Sequence, residues 1–518
     1  MAEPYYITTA IHYPNGKPHI GHAYEMIAAD AIARFHRQAG RDVRFQTGTD
    51  EHGLKMVQTA RKRGMEVRAL ADEMSSYFHD MADKLDISYD RFIRTVEPAH
   101  YAASQAIWQA MADAGDLYLS RYEGWYSVRD EAFYEEKELT EGEGGVRLSP
   151  QGTPVEWTAE ETWFFRLSKY QQPLLDFYAA HPEFIQPESR RNEVLRFVEG
   201  GLADLSVSRT SFDWGVPVPG SPGHVMYVWV DALTNYLTGA GYPDGGEMAR
   251  FWPADLHLIG KDIVRFHAVY WPAFLMSAKL ALPRQVFGHG FLLNRGEKMS
   301  KSTGNVIDPM ALAGLYGVDA LRYFLLRDIS FGQDGTFSDE AIVTRANADL
   351  ANSFGNLAQR TLSFIAKNLD GVLPLPGRSD PADDALLAQV AEAGAAFREE
   401  FAALSLGQAL ESWMRGVFAC NQYIDAQAPW SLRKTDPERM HAVLGTLVRA
   451  IRDLAILVWP VIPTSAGRVL DQLGQDTRDH GALADSDWYS RAADAGFRIA
   501  PPAPIFPRLA LEEAAVSA

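Results

Sequence analysis

The segment from Tyr5 to Gly53 restricts the fold more than any other part of the chain. Tyr5 to Tyr13 is rich in β-branched and aromatic residues, as a buried strand is, and Pro14-Asn15-Gly16-Lys17-Pro18 has the chemistry of a turn. From His22 to Arg37 the apolar residues Met26, Ile27, Ala29, Ile32, Ala33 and Phe35 recur at helical spacing, and Gly40 ends the run. A second short strand, Val43 to Gln46, leads directly into Gly48-Thr49-Asp50-Glu51-His52-Gly53. Strand, helix and strand in this order predict a parallel sheet, and open parallel sheets bind ligands outside the carboxyl ends of their strands.

The same alternation returns much later. Leu256 to Ile259 and Gln285 to Gly288 read as strands, with a helix from Asp262 to Met276 between them. Turn-rich sequence, including Glu141-Gly142-Glu143-Gly144-Gly145 and Val216-Pro217-Val218-Pro219-Gly220, fills the interval. The expected fold is therefore α/β: a Rossmann-like parallel-sheet domain in two halves, 1–115 and 226–294, split by an inserted connective domain over 116–225. Residues 295–345 read as a linking region. Beyond them strand signals vanish, and Ala, Leu and Arg recur with helical period, so 346–500 reads as an all-α bundle. Pro501 to Ala518 reads as a strap with a frayed tail.

Composition excludes some classes. One cysteine, Cys420, permits neither an internal disulfide nor a multi-cysteine zinc site. No apolar run approaches the ~18 residues that cross a bilayer, and no basic region precedes the first apolar stretch. A cytoplasmic protein without a membrane partner is expected. A net charge of −18 weighs against a polyanion partner, although the local field decides that, and acidic residues concentrate between Glu123 and Glu161.

Two motifs carry chemistry. Pro18-His19-Ile20-Gly21-His22 lies between strand and helix, where unpaired amides and the helix dipole suit a phosphate and Gly21 lets a nucleotide approach the backbone. Alone, the two histidines read as readily as structural residues, and a metal pair lacks cysteine or carboxylate partners. Gly296-Glu297-Lys298-Met299-Ser300-Lys301-Ser302-Thr303-Gly304-Asn305 is a cationic loop able to neutralise a pyrophosphate leaving group, or a plain solvated turn. Its glycine spacing is not that of a Walker phosphate loop.

In this order and context the two motifs resemble the paired signature of the class I aminoacyl-tRNA synthetases, over at least nine-tenths of the chain. Finer features resemble the methionine-specific branch: Ala10-Ile11-His12-Tyr13-Pro14-Asn15-Gly16, the Gly48–Gly53 run, Tyr227-Val228-Trp229-Val230-Asp231-Ala232-Leu233, and Gly260-Lys261-Asp262-Ile263-Val264-Arg265-Phe266-His267. The resemblance implies ATP with Mg²⁺, L-methionine and tRNA(Met) as ligands. It implies catalytic roles for His19, His22, Lys298 and Lys301, and ATP contacts at Pro18, Gly21, Gly260, Asp262, Gly290, Phe291, Leu292 and Lys301. Methionine would lie against Ala10, Ile11, Tyr13, Trp229, Ala232, Leu233, Tyr236, Ile263 and His267, with Asp50 on its ammonium group. Thioethers pack well on aromatic rings, which suits such a slot; core packing is the plain alternative for Trp229 and Tyr236.

In the helical region the resemblance implies anticodon recognition by Asn356 and Arg360, one helical turn apart, with Trp430 stacking on a base. The family's zinc knuckle would place paired cysteines near Gly124–Phe133, yet Ser127 and Asp130 stand there and no cysteine pair follows before Trp157. No structural zinc is expected. The insertion is short beside the editing domains of the isoleucine, valine and leucine enzymes, and no dimerisation segment is evident, so a monomer without editing is expected. Other amino acids, a small nucleotidyltransferase and a non-catalytic tRNA-binding paralogue are the rival readings.

Overall fold

Six parallel strands form the sheet that carries the site: β1 (Pro4–Thr9), β2 (Asp42–Thr49), β3 (Arg91–Arg94), β4 (Ile185–Gln186), β5 (Leu256–Gly260) and β6 (Val286–His289), in the spatial order β3-β2-β1-β5-β6-β4. The computed structural model describes residues 2–129, 132–294, 296–299, 305–475, 478–485 and 487–511. The buried run of β1 and the wholly buried β5 follow from a parallel sheet covered on both faces. From β1 the chain goes first to β2 and β3 and much later to β5 on the other side. That reversal opens a crevice at the carboxyl ends of β1 and β5.

β1 is shorter than its composition predicts. The ladder ends at Thr9, with the Ala10 N–H making its last bond, to Leu258 O at 3.2 Å, and also reaching the Glu25 carboxylate at 3.0 Å. His12 crosses instead to β2, donating its N–H to Gly48 O and accepting from Asp50 N–H, each at 2.9 Å. The helix Ile20–Gln38 follows the turn and is buried on nearly every side. The helix predicted over Asp262–Met276 is three pieces: a 3₁₀ turn at Lys261–Ile263, a π turn at Phe266–Tyr270 and an α-helix at Trp271–Ser277.

The insertion centres on a long antiparallel pair, Leu117–Ser127 with Glu156–Phe165, in a sheet completed by Leu205–Ser206 and Ala132–Tyr134. It also supplies β4 to the edge of the catalytic sheet. The helices Asn356–Asn368, Pro381–Ala402, Leu406–Gln427, Pro437–Val458 and Pro463–Gln472 form the all-α region. Asp380 and Asp436 cap two of these helices, each with proline in the first turn. Their apolar faces share one core with the back of Ile20–Gln38. After Pro501 the chain has neither helix nor strand through Leu511; it is pinned by Leu509, whose N–H and C=O both bond the Asn347 amide. Residues 512–518, where the frayed tail was expected, lie outside the described residues. No helix among the described residues is long and apolar enough to cross a membrane.

Candidate active site

The two motif histidines begin the helix Ile20–Gln38 and cap it themselves. His19 Nδ1 accepts from Gly21 N–H at 3.1 Å, and His22 Nδ1 accepts from His19 N–H at 3.0 Å. Each Nδ1 is thereby an acceptor, which leaves the ring proton on Nε2. Two Nε2 donors and the positive end of a helix dipole then serve one place, as an anion requires. Gly21 is needed for this cap: a Cβ there would meet the His19 ring at 2.9 Å. Ile307 O accepts from Ile20 N–H at 3.0 Å and brings the chain after the lysine motif to the same helix end.

His19 and His22 line a cavity of about 700 Å³, which also takes in Asp262. All ten residues expected around methionine line it as well: Ala10, Ile11, Tyr13 and Asp50 from the ends of β1 and β2, Trp229, Ala232, Leu233 and Tyr236 from the helix Val228–Gly239, and Ile263 and His267 from the segment after β5. The π turn sets two of the contacts. Phe266 stacks on Trp229 with centroids 3.9 Å apart and planes 7° apart. His267 donates Nδ1–H to Ile263 O at 2.9 Å and accepts the Tyr236 hydroxyl on Nε2 at 2.7 Å. Burial holds His267 at about 4, so the ring is neutral at pH 7. The result is an uncharged aromatic slot with one polar edge.

Two buried ion clusters hold the walls. Asp231, in the first turn of Val228–Gly239, accepts from His52 Nδ1 and His100 Nε2, both at 2.6 Å. Burial alone would raise its carboxyl, but the two imidazoles outweigh that and hold it at about 2. The cluster fixes Asp50, two residues before His52, relative to Trp229 and Ala232. Glu25 joins three elements: Oε1 accepts from Ala10 N–H, and Oε2 accepts from His289 Nε2 at 2.8 Å. His289 donates its other nitrogen to Gly290 O at 2.8 Å. Burial would lower His289, but the Glu25 carboxylate prevails and raises it.

The expected ATP contacts divide. Asp262 lines the cavity, with Gly260 two residues before it; Pro18 and Gly21 belong to the helix cap. Gly290, Phe291 and Leu292 continue from β6 beside the cavity rather than lining it. A Cβ on Gly290 would meet Gln333 O at 2.1 Å, so packing alone requires glycine there. Phe291 N–H donates to Asp334 Oδ1 at 2.8 Å, and Leu292 is buried in a short strand beside Gly335. Lys298 lies in the two-residue strand Glu297–Lys298 paired with Leu293 and Asn294, and Met299 reaches the cavity wall. Lys301 lies outside the described residues.

The sequence reading assigned no role to Glu25, His289, His100 or Asp231. Glu25 carried a signal, being a carboxylate on the buried face of a helix. It also missed Arg129, Gln151 and Thr153, with which the insertion overhangs the cavity. There Ser127 is buried and hydrogen-bonded to Thr153, which also bonds Ser149, each at 2.8 Å. Asp130 lies outside the described residues, and among those described no group of three His, Cys, Asp or Glu is placed to hold a metal.

In the helical region two of the three residues expected to face RNA, Arg360 and Trp430, come together. Asn356 and Arg360 start the helix Asn356–Asn368, and the Arg360 guanidinium lies 5.2 Å from the Trp430 ring centroid and 2.7 Å from Asp425 Oδ1. Trp430 stands in the first turn of a short helix, Pro429–Thr435, after the left-handed residue Ala428. Its indole is 46% exposed, which leaves a face for stacking.

A crevice at a strand switch point, two imidazoles on a helix start and a helical bundle after the parallel-sheet domain are the arrangement of a class I tRNA synthetase. Residues 5–362 match the family described as tRNA synthetases class I (M), and residues 373–516 match the anticodon binding domain of methionyl tRNA ligase. The chain therefore belongs to the methionyl-tRNA synthetase family. It is 58% identical over 507 residues to the methionine–tRNA ligase of Brucella suis, covering 98% of each chain. To that of Mesorhizobium japonicum it is 59% identical over 480 residues, covering 92% of this chain and 93% of the other. Mycobacterium tuberculosis methionyl-tRNA synthetase, solved in complex with methionyl-adenylate, superposes with a TM-score of 0.92 at 56% identity, covering 98% of this chain and 100% of that one.

Proposed function

We propose that this chain ligates L-methionine to tRNA(Met) through a methionyl-adenylate, with Mg²⁺-ATP as co-substrate and AMP and pyrophosphate as products. The observation that carries this reading is the single cavity in which His19, His22, Asp50 and the Trp229–Tyr236–His267 slot converge. Asp50 takes the ammonium group and the aromatic slot takes the thioether side chain, leaving the carboxylate towards the imidazoles. That carboxylate is already ionised, so its in-line attack on the α-phosphate needs no general base. The work is positioning and charge stabilisation. His19 and His22 donate to phosphate oxygens; Gly260 and Asp262 hold the ribose; Gly290, Phe291 and Leu292 bound the adenine side; Lys298 and Lys301 neutralise the departing pyrophosphate. The terminal adenosine of the tRNA then takes the methionyl group, while Asn356, Arg360 and Trp430 read the anticodon. The protein works as a cytoplasmic monomer.

ATP–pyrophosphate exchange with each of the twenty amino acids, without tRNA, tests this. Exchange with methionine alone is expected. Exchange with another amino acid would keep the class and discard the pocket assignment; none at all would remove the catalytic reading. Lys301→Ala is expected to slow adenylate formation while leaving methionine affinity within about twofold, and an unchanged single-turnover rate would remove that role.

A further inference from the structure

His12 has no part in the machinery described so far, yet it is built into it. Its main chain is fixed by the two hydrogen bonds to the end of β2, and the residue is one of those lining the cavity while only 6% exposed. One face of the ring stacks on Phe78, with centroids 5.5 Å apart and planes 20° apart. Its edge approaches His22, with centroids 5.0 Å apart, and His22 in turn lies 3.8 Å from His19. Three imidazoles thus run along one wall of the cavity. Among the described residues the buried His12 Nε2 has no hydrogen-bond partner. Buried polar groups are paired as a rule, and an exception inside a binding cavity marks a place where a ligand supplies the partner. The Phe78 stack alone explains a flat ring, but not a nitrogen-bearing one.

We propose that His12 is a third triphosphate-binding imidazole, donating Nε2–H to the phosphate oxygens of bound ATP beside His19 and His22. Burial keeps the free ring neutral, so it acts as a hydrogen-bond donor and adds no fixed charge. The inference rests on the proposed use of ATP by this site. It concerns a group outside the His-x-x-His motif, on the strand side of the turn, and so extends the phosphate site along that wall from the helix start to the strand end.

ATP affinity of the full chain, measured by calorimetry without amino acid, tests this independently of turnover. His12→Phe keeps the ring stacked on Phe78 and removes the donor, and His12→Leu makes the same test should phenylalanine misfit. Either is expected to weaken ATP binding about tenfold, the size expected for one hydrogen bond to a charged acceptor. Methionine affinity, read from tryptophan fluorescence, should stay within twofold, and His12→Gln should restore most of the ATP affinity. Unchanged ATP affinity in the donor-free variants would overturn the proposal, as would a parallel loss of methionine affinity, which would make His12 a packing residue of the pocket. Failure of the twenty-amino-acid exchange panel would instead strike the proposed reaction, because the binding measurement needs no turnover.

Discussion

Tyr236 and His267 show how little polar chemistry the aromatic slot contains and how closely it is specified. The π turn leaves Ile263 O as the acceptor for His267 Nδ1, so Nε2 must be the acceptor, and the hydroxyl it accepts is that of Tyr236, at 2.7 Å. Tyr236 is 1% exposed and its ring also stacks on His257 at 4.0 Å, so it has no second orientation in which to bond water. Tyr236→Phe preserves the stack but leaves a buried nitrogen unpaired, at a cost of ~1–3 kcal/mol. The expected outcome is a rise in KM for methionine of roughly tenfold, with KM for ATP nearly unchanged. Exchange kinetics with each substrate varied in turn check this, and equal effects on both KM values would show that the whole cavity, not the slot, had shifted.

At the scale of elements, the walls of the site are held by charges that are far apart in sequence. Asp231 fastens the pocket helix Val228–Gly239 to His52, two residues after the cavity-lining Asp50, and to His100 on the helix Pro98–Asp113. Asp231→Ala leaves two imidazoles buried without their acceptor, and breaking such a cluster costs roughly 3–5 kcal/mol. A fall of that size in denaturant-unfolding stability is expected, together with a raised KM for methionine; Asp231→Asn, which can still bond both rings with one tautomer changed, should lose less. Equal losses in the two variants would mean that the carboxylate charge matters more than the bridge. These ties were not legible in the sequence. The catalytic motifs were, because each sits in a short turn whose glycines and prolines mark it locally. The partner of Glu25 lies 264 residues away, and no local periodicity encodes such a pairing. The extent of β1 is shorter than composition from Tyr5 to Tyr13 favours, because beyond Ala10 the chain crosses to the end of β2, where His12 bonds Gly48 and Asp50. The period through Asp262–Met276 was read as one helix, since a π turn adds a single residue and barely disturbs the apolar pattern. In the bundle the repeated Ala and Leu were enough for the helices, and the Arg360 guanidinium lies beside the Trp430 ring.

Across the whole molecule, buried titrating groups set the response to acid. His267 and His480 are held at about 4 and His36 at about 3, in each case first by burial. The unfolded chain takes up these protons near 6.5 and the folded one only far below, so their contribution to stability is complete above pH 6.5 and is lost as pH falls towards 4. His289, raised by Glu25, runs the opposite way and loses its contribution as pH rises. Denaturant midpoints should therefore fall steadily between pH 6.5 and 4, and a flat profile there would count against the burial of these rings. The deepest ion pair makes the catalytic and helical regions one unit. Arg322 and Asp30 meet at 2.6 Å with no solvent exposure on either side chain, and Arg322 also donates to Leu85 O, Pro460 O and Val461 O. Asp30 lies on the helix capped by His19 and His22; at the far end of that helix Phe35 stacks on Phe401 and the Gln38 amide donates to Ile456 O. One continuous helix thus has the two cavity-lining histidines at its first turn and the bundle at its last. Arg322→Met removes the charge that Asp30 needs while Arg34 and Ser88 remain on it, and the cost should reach about 3 kcal/mol. Because the lost contacts lie between regions, the parent should unfold in one transition, whereas the variant should show the bundle and the catalytic region melting apart in a calorimetric scan. A variant that loses stability but still melts in one transition would place the coupling in the apolar seam around Phe35 and Phe401 rather than in the arginine.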